Sequence, residues 1–134
     1  MDWSFLDSLK FDQSGLIPCV AQDCETSEVL MVAYMNRESL TDTVNKGLAS
    51  YWSRSRKKYW IKGETSGNTQ EVREIRFDCD LDCVLIRIKQ NGGAACHTGM
   101  RSCFFNKLTP EGLVEDGQRI FDAENVHGKQ PTAS

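Results

Sequence analysis

The chain has 134 residues, a formal net charge of −3 and 26% charged residues. A single domain of this length can bury a core without disulfide or metal staples. The acidic balance excludes the broad basic surface of a nucleic-acid-binding domain, and no run of about 20 apolar residues could cross a membrane. We expect one domain over residues 1–134, with a core at 9–105 and a weakly ordered tail at 127–134.

Cysteine content indicates the compartment. The chain has six cysteines, and its N-terminus lacks the charged and then apolar layout of a signal peptide. We therefore expect a cytoplasmic, reducing setting, in which the cysteines are free thiols or metal ligands rather than disulfides.

The first half of the chain predicts two helices and a hairpin. Residues 3–9 predict a short amphipathic helix, and the apolar runs at 16–22 and 29–35 predict two paired strands. Pro18 restricts the first strand to a sheet edge, or itself to the first strand positions. Asn36 and Gly47 are placed as the N-cap and C-cap of a helix of about three turns.

The second half predicts further strands and a loop. Strands are expected near 48–52, 59–62, 72–77 and 84–89, a loop at 63–68, and a helix at 118–125. Beyond Phe105 the pattern weakens. Many strands with one well-defined helix predict an α+β domain of mostly antiparallel strands with one or two helices.

Three aspartates recur at every second position, at Asp78, Asp80 and Asp82. In an extended segment they would share one face, and a set of carboxylate oxygens suits a hard cation such as Mg²⁺. A solvated acidic surface segment is the alternative.

Thiols surround the same stretch. Cys96 and Cys103 lie in a glycine-containing loop that can fold both onto one centre. With Cys79 they give three thiolates and an open fourth position, which is typical of catalytic zinc. Cys83 would lie roughly 13 Å from Cys79 along an extended strand, so a small buried apolar role is the better interpretation.

His97 follows Cys96 directly. It is a candidate metal ligand or general acid/base near neutral pH, and a loop histidine bonded to the backbone is the alternative. The basic run at 54–58 could hold a small anionic ligand or form a solvated basic face.

With these residues in hand, the chain resembles the phosphoribosyl-AMP cyclohydrolases, hydrolases of histidine biosynthesis. The similarity covers about residues 9–104 and is carried by the segments 16–18, 28–31, 33–36, 51–56, 60–68, 78–80 and 95–99.

The resemblance implies the reaction and its cofactors. It implies that the chain opens the adenine ring of phosphoribosyl-AMP between N1 and C6 by zinc-activated water, giving the formimino-aminoimidazole carboxamide ribonucleotide in the third step of histidine biosynthesis. It implies an intertwined homodimer with one shared Zn²⁺ per subunit, and Mg²⁺ as a second cofactor. Zinc ligands map to Cys79 from one chain and to Cys96 and Cys103 from its partner.

The magnesium ligands and the catalytic histidine follow from the same resemblance, and the substrate contacts follow from residue chemistry. Mg²⁺ maps to Asp78, Asp80 and Asp82, and His97 occupies the position of the catalytic histidine. We expect the phosphates of the substrate to be held by the basic run and by the loop that follows it, with Glu64 as a second acid/base candidate. The predicted substrate contacts are Arg54, Arg56, Lys62, Glu64, Ser66 and Asn68.

Two other classes of protein compete with this interpretation. A structural zinc module would close the metal with the three cysteines and His97, but it leaves the aspartates without a role. A zinc base deaminase would need a His-x-Glu and Cys-x-x-Cys pair that the sequence lacks.

Overall fold

The computed structural model describes residues 1–122 as an α+β domain of two helices and eight strands. Neither of these helices has the length and apolar content of a membrane-spanning segment. The predicted tail at 127–134 lies outside the described residues. In chain order the elements are α1 (Phe5–Ser8), β1 (Ile17–Asp23), β2 (Val29–Met35), α2 (Arg37–Lys46), β3 (Ser50–Ser53), β4 (Lys58–Ile61), β5 (Gln70–Phe77), β6 (Val84–Gln90), β7 (Asn106–Thr109) and β8 (Gly112–Glu115).

Six strands form one mixed sheet in the order β4-β3-β2-β1-β6-β5. The central pair β1 and β6 runs parallel, with Cys19 opposite Val84, while the other neighbours in the sheet are antiparallel. The prediction of a small α+β domain is confirmed. Because β1 is central, Pro18 does not mark an edge; it pairs with Tyr34, and the β6 ladder begins one residue later.

Helix α2 begins and ends where its capping residues predict. The side chain of Asn36 accepts a hydrogen bond from the Ser39 N–H at 2.8 Å, and the Ser39 hydroxyl accepts one from the Asn36 N–H at 2.9 Å. Gly47 ends the helix in the left-handed conformation, at φ 71°. Leu40 is fully buried against the sheet, so the helix covers the core through a narrow apolar stripe.

A chain of buried polar side chains crosses the sheet beneath the loop that follows β4. The Tyr51 hydroxyl donates to Gln70 Oε1 at 2.6 Å, and Gln70 Nε2 donates to Gln90 Oε1 at 2.9 Å. Gln90 Nε2 in turn donates to the Asn68 carbonyl at 2.8 Å. These hydrogen bonds connect β3, β5 and β6 with the loop at 63–68. Each buried polar side chain is satisfied by the next one along, so the three strands and the loop are fixed relative to one another.

Replacing Tyr51 by phenylalanine is expected to destabilise the fold by about 1–3 kcal/mol, because Gln70 Oε1 would lose its donor in a buried site. Urea unfolding at a fixed protein concentration measures this. Tyr34→Phe is the matched control, since Tyr34 is only half-buried, and we expect a change within about 0.5 kcal/mol. Equal stability of the two variants would contradict the prediction.

Two expectations for the end of the chain differ from the structure. Residues 118–122 are not helical, and 123–125 lie outside the described part. Strands β7 and β8 form a hairpin that the sequence did not predict. Its apolar side chains point outward, with Leu108 78% and Leu113 70% exposed, so the usual alternation of a half-buried strand is missing.

Candidate active site

The three aspartates lie on a turn between β5 and β6, so the shared face that an extended segment would give them does not form. Asp78 Oδ1 accepts hydrogen bonds from the N–H groups of Asp82 at 2.9 Å and Cys83 at 3.1 Å, and Leu81 adopts a positive φ of 62°. The turn nevertheless brings the carboxylates together: ligand atoms of Asp78, Asp80 and Asp82 all lie within 4.8 Å of one another, and all three residues are exposed.

The three carboxylates at this turn influence one another's ionisation. Hydrogen bonding with Asp78, then with Asp80, raises the pKa of Asp82, and the two neighbouring charges add to the shift. Desolvation works to raise the pKa of Asp78, but hydrogen bonds from Asp82 and Cys83 hold it below its ordinary value. Carboxylates this close repel one another when ionised, and a hard dication such as Mg²⁺ would relieve that repulsion.

Cys96 and Cys103 lie on the segment 91–103, which follows β6 and is called here the thiol loop. The Cys96 N–H donates to the Met100 carbonyl at 3.1 Å, and the Cys103 N–H donates to the Leu30 carbonyl at 2.7 Å. The first bond folds the loop back on itself and the second fixes its end to β2. The backbone is therefore fixed by a hydrogen bond at each of the two cysteines.

These two thiols interact directly. Although the Cys103 residue is exposed overall, burial of its thiol raises the pKa of Cys103 to about 12, with a further increase from the neighbouring Cys96 and an opposing effect of Lys62. None of the six cysteines forms a disulfide. Two adjacent sulfurs are ligands that Zn²⁺ prefers, and as thiolates they would supply two of its positions.

Lys62 lies beneath the thiol loop rather than in solvent. It is 2% exposed, and its Nζ donates a hydrogen bond to the carbonyl of Ala95, the residue before Cys96. Burial lowers the pKa of Lys62 to about 8, while Cys103 and Cys96 act to raise it. The predicted phosphate ligand is thus a buried neighbour of the two thiols.

Cys79 is at the other end of the sheet. It lies on the acidic turn before β6, whereas the thiol loop follows β6. Since β6 has 7 residues at about 3.3 Å each, roughly 20 Å separates the two ends. Among residues 1–122, the only group of three or more potential metal ligands is the aspartate group. The three cysteines predicted to share zinc therefore do not converge within one chain.

Cys83 is half-buried at the start of β6. The sequence interpretation of Cys83 assumed an extended strand between Cys79 and Cys83. These residues lie on the turn closed by Asp78, so the distance expected for an extended strand does not apply. Desolvation raises the pKa of the Cys83 thiol, followed by the charges of Asp78 and Asp82. This environment keeps the thiol protonated at neutral pH, as is usual for a structural cysteine.

The remaining predicted residues lie on turns and loops, most of them exposed. His97 is exposed at the tip of a tight turn in which the Gly99 N–H donates to the Cys96 carbonyl at 3.0 Å. Arg54 and Arg56 are exposed on the β3–β4 turn, and the Arg54 guanidinium lies 4.0 Å from the Tyr34 ring centroid. In the loop at 63–68, Glu64 is exposed, whereas Ser66 and Asn68 are half-buried.

The loop at 63–68 closes tightly at Gly63. The Gly67 N–H donates to the Gly63 carbonyl at 2.8 Å. Gly63 has φ 74°, and a Cβ placed there would lie 2.1 Å from the backbone carbon of Asn68. No other residue fits this position, because backbone atoms cannot move aside as a side chain can.

Gly63→Ala is expected to open this loop, lowering stability by about 2–4 kcal/mol and raising KM for the substrate, since the loop is predicted to bind it. Gly67→Ala is the matched control: its φ of 84° imposes similar backbone strain, but a Cβ there meets nothing within 4 Å. It should cost only about 1–2 kcal/mol. Urea unfolding and steady-state kinetics measure both effects, and equal behaviour of the variants would contradict the steric argument.

Sequence reasoning missed the residue that anchors the thiol loop. Arg101 Nε donates to Glu28 Oε1 at 2.7 Å, and Arg101 Nη2 lies 3.5 Å from Asp23 Oδ1. Both carboxylates belong to the β1–β2 region, so these ion pairs fix the loop to the sheet. The position of an arginine between two cysteines was the available signal. The buried Gln70 and Gln90 were also missed, because nothing local marks a glutamine as buried.

Carboxylates are grouped at one end of the α+β domain and two thiols lie at the other, and both are side chains of the types that metal-dependent enzymes use as ligands. The family model for phosphoribosyl-AMP cyclohydrolase matches residues 31–105. The chain belongs to the phosphoribosyl-AMP cyclohydrolase family and is an enzyme of that kind.

Three relatives bearing the name phosphoribosyl-AMP cyclohydrolase illustrate the similarity. The protein of Chlorobium chlorochromatii is 52% identical over 126 residues, which cover 93% of this chain and 91% of the relative. That of Salinibacter ruber is 51% identical, covering 91% and 95%. That of Methanococcoides burtonii is 54% identical, covering 91% and 98%.

Proposed function

We propose that this chain hydrolyses phosphoribosyl-AMP at the third step of histidine biosynthesis. Water adds to C6 of the adenine ring, and the N1–C6 bond breaks. C6 becomes a carboxamide that keeps its amino group, and N1 takes up a proton and keeps the ribosyl phosphate. The observation that carries the proposal is the pair of adjacent thiols beside an exposed histidine, in a member of this family.

Zn²⁺ fits the donor chemistry of the thiol loop. Cys96 and Cys103 would hold it from one chain and Cys79 from a second. When bound with an open position, zinc lowers the pKa of a water ligand to near neutrality and so supplies a nucleophile. Shared ligation is supported by the roughly 20 Å that β6 sets between the acidic turn and the thiol loop.

An intertwined homodimer is supported by the surface around Cys103. The neighbouring Phe104 is 60% exposed, and Val29, whose carbonyl accepts a bond from Ser102, is 41% exposed. Leu108 and Leu113 of the β7–β8 hairpin are exposed as well. Exposed apolar side chains on a small domain favour contact with another chain, and a second copy would bring its own Cys79.

His97 would carry the proton of the reaction. His97 is exposed and directly follows Cys96, so its imidazole can reach the adenine ring of a substrate held at the thiol loop. As general base it accepts a proton from water, and as general acid it returns one to N1. Glu64, exposed on the neighbouring loop, is a second candidate for the same task.

The substrate and the second cation occupy the exposed turns in this proposal. Arg54 and Arg56 would bind phosphate oxygens through their guanidinium groups, with Ser66 and Asn68 contributing from the adjacent loop. Asp78, Asp80 and Asp82 would hold Mg²⁺. A cytoplasmic location is proposed because six free cysteines suit a reducing compartment.

A product analysis tests the function. The purified chain, loaded with Zn²⁺ and Mg²⁺, is incubated with phosphoribosyl-AMP, and the product is identified by mass spectrometry with a parallel ammonia assay. A product heavier by one water, without ammonia, is expected. Release of ammonia would mean deamination, and an unchanged substrate would favour a structural zinc module; either result overturns the proposal.

A further inference from the structure

Lys62 is the one lysine among residues 1–122 that the fold buries. Its Nζ is held by the Ala95 carbonyl, and Ala94, Ala95 and Cys96 around that bond are themselves buried. A buried ammonium carries a large desolvation cost unless a negative charge lies nearby. The hydrogen bond to Ala95 places the ammonium beside the residue that precedes Cys96 in the thiol loop.

Neutral thiols would leave this ammonium poorly compensated. One carbonyl satisfies one of its three donors, and the ion pairs of the described residues do not include Lys62. Thiolates would supply the missing charge. Three thiolates around one Zn²⁺ carry one net negative charge, which one ammonium balances.

We propose that Lys62 is a positioning residue of the zinc site, whose buried ammonium balances the charge of the Cys96 and Cys103 thiolates and fixes their loop through Ala95. The inference rests on the proposed function, in which these thiolates bind zinc. It gives Lys62 a role different from the phosphate contact that its sequence neighbours suggest, since its ammonium is turned away from solvent.

Three substitutions separate charge from tethering. Lys62→Met removes the charge and the donor, Lys62→Gln keeps a donor without charge, and Lys62→Arg keeps the charge. Zinc affinity of the purified chain is measured by competition with a chromophoric chelator. Cobalt replaces zinc for absorption spectra, in which the thiolate-to-metal charge-transfer band reports the sulfur environment. Lys89→Met is the matched control, since Lys89 is exposed on β6.

We expect the methionine and glutamine variants to bind zinc about 10- to 100-fold more weakly, with a shifted cobalt band, as for other residues that support metal ligands. Lys62→Arg should recover most of the affinity, and Lys89→Met should match the wild type. Full affinity in Lys62→Met overturns the proposal. Rescue by glutamine but not by arginine would make Lys62 a tether only, and would overturn the charge role.

Unfolding of the metal-free chain gives a second test that does not depend on binding. Without zinc the ammonium lacks its counter-charge, so Lys62→Met should be at least as stable as the wild type in excess chelator. With zinc present it should be less stable. A metal-free Lys62→Met chain that fails to fold would overturn the proposal. If the wild type itself neither binds zinc nor turns over substrate, the proposed function fails instead.

Discussion

Mixing two inactive variants, Cys79→Ala and Cys96→Ala, is expected to restore about one quarter of wild-type specific activity. Each variant alone lacks a zinc ligand at every site. In a mixed dimer, one site combines the intact Cys79 of one chain with the intact thiol loop of the other, while the second site lacks both. Random assembly makes half of the dimers mixed, and half of their sites are complete.

Co-refolding of the two chains followed by steady-state assay measures this recovery. A mixture of Cys96→Ala with Cys103→Ala is the matched control, because both defects lie on the same loop and no complete site can form. Zinc stoichiometry should rise with activity in the first mixture only. Failure to recover activity in the first mixture, with mixed dimers demonstrated, would show that the three cysteines do not share a metal across chains.

His97→Asn is expected to lower kcat by about 10²- to 10⁴-fold, because the reaction loses the group that moves a proton between water and N1. Zinc affinity should stay at the wild-type value, since three thiolates and an open position leave no ligand role for the imidazole. Asparagine retains hydrogen-bonding capacity on the exposed turn, so the loop should keep its conformation. Pre-steady-state kinetics and chelator competition give the two quantities.

The chain offers one other histidine as a control. His127→Asn should keep wild-type kcat, because this residue has no assigned part in the reaction. A His97→Asn variant that loses zinc together with activity would make His97 the fourth ligand of a closed site. Wild-type turnover in His97→Asn would transfer the proton role to another group, of which Glu64 is the first to test.

Local signals predicted the elements that depend on local bonds. Asn36 and Gly47 set the ends of α2, because capping acts within a few residues of the chain. The parallel pairing of β1 with β6 was not predictable from any pattern within either strand, since the two are separated by more than 60 residues. The β7–β8 hairpin was missed because its exposed apolar side chains do not alternate with a polar face.

At the site, residue chemistry was predictable and geometry was not. The grouping of Asp78, Asp80 and Asp82 was expected, but it arises from a turn closed on Asp78 rather than from strand alternation. Lys62 belongs by sequence to a basic, loop-forming stretch, yet the fold buries it beside Ala95. Burial of a single lysine depends on tertiary contacts that local sequence does not encode, and the position of Arg101 between two cysteines marks the residue without naming its partners Asp23 and Glu28.

In the proposed arrangement, the length of β6 makes the number of complete active sites depend on the protein concentration. Because the strand holds the acidic turn and the thiol loop far apart, single chains carry every reactive group but no complete site. The number of sites then follows the square of the concentration of free chains. Dilution below the dissociation constant of the dimer would remove sites without altering kcat or KM of those that remain, and zinc would leave the protein along the same concentration curve.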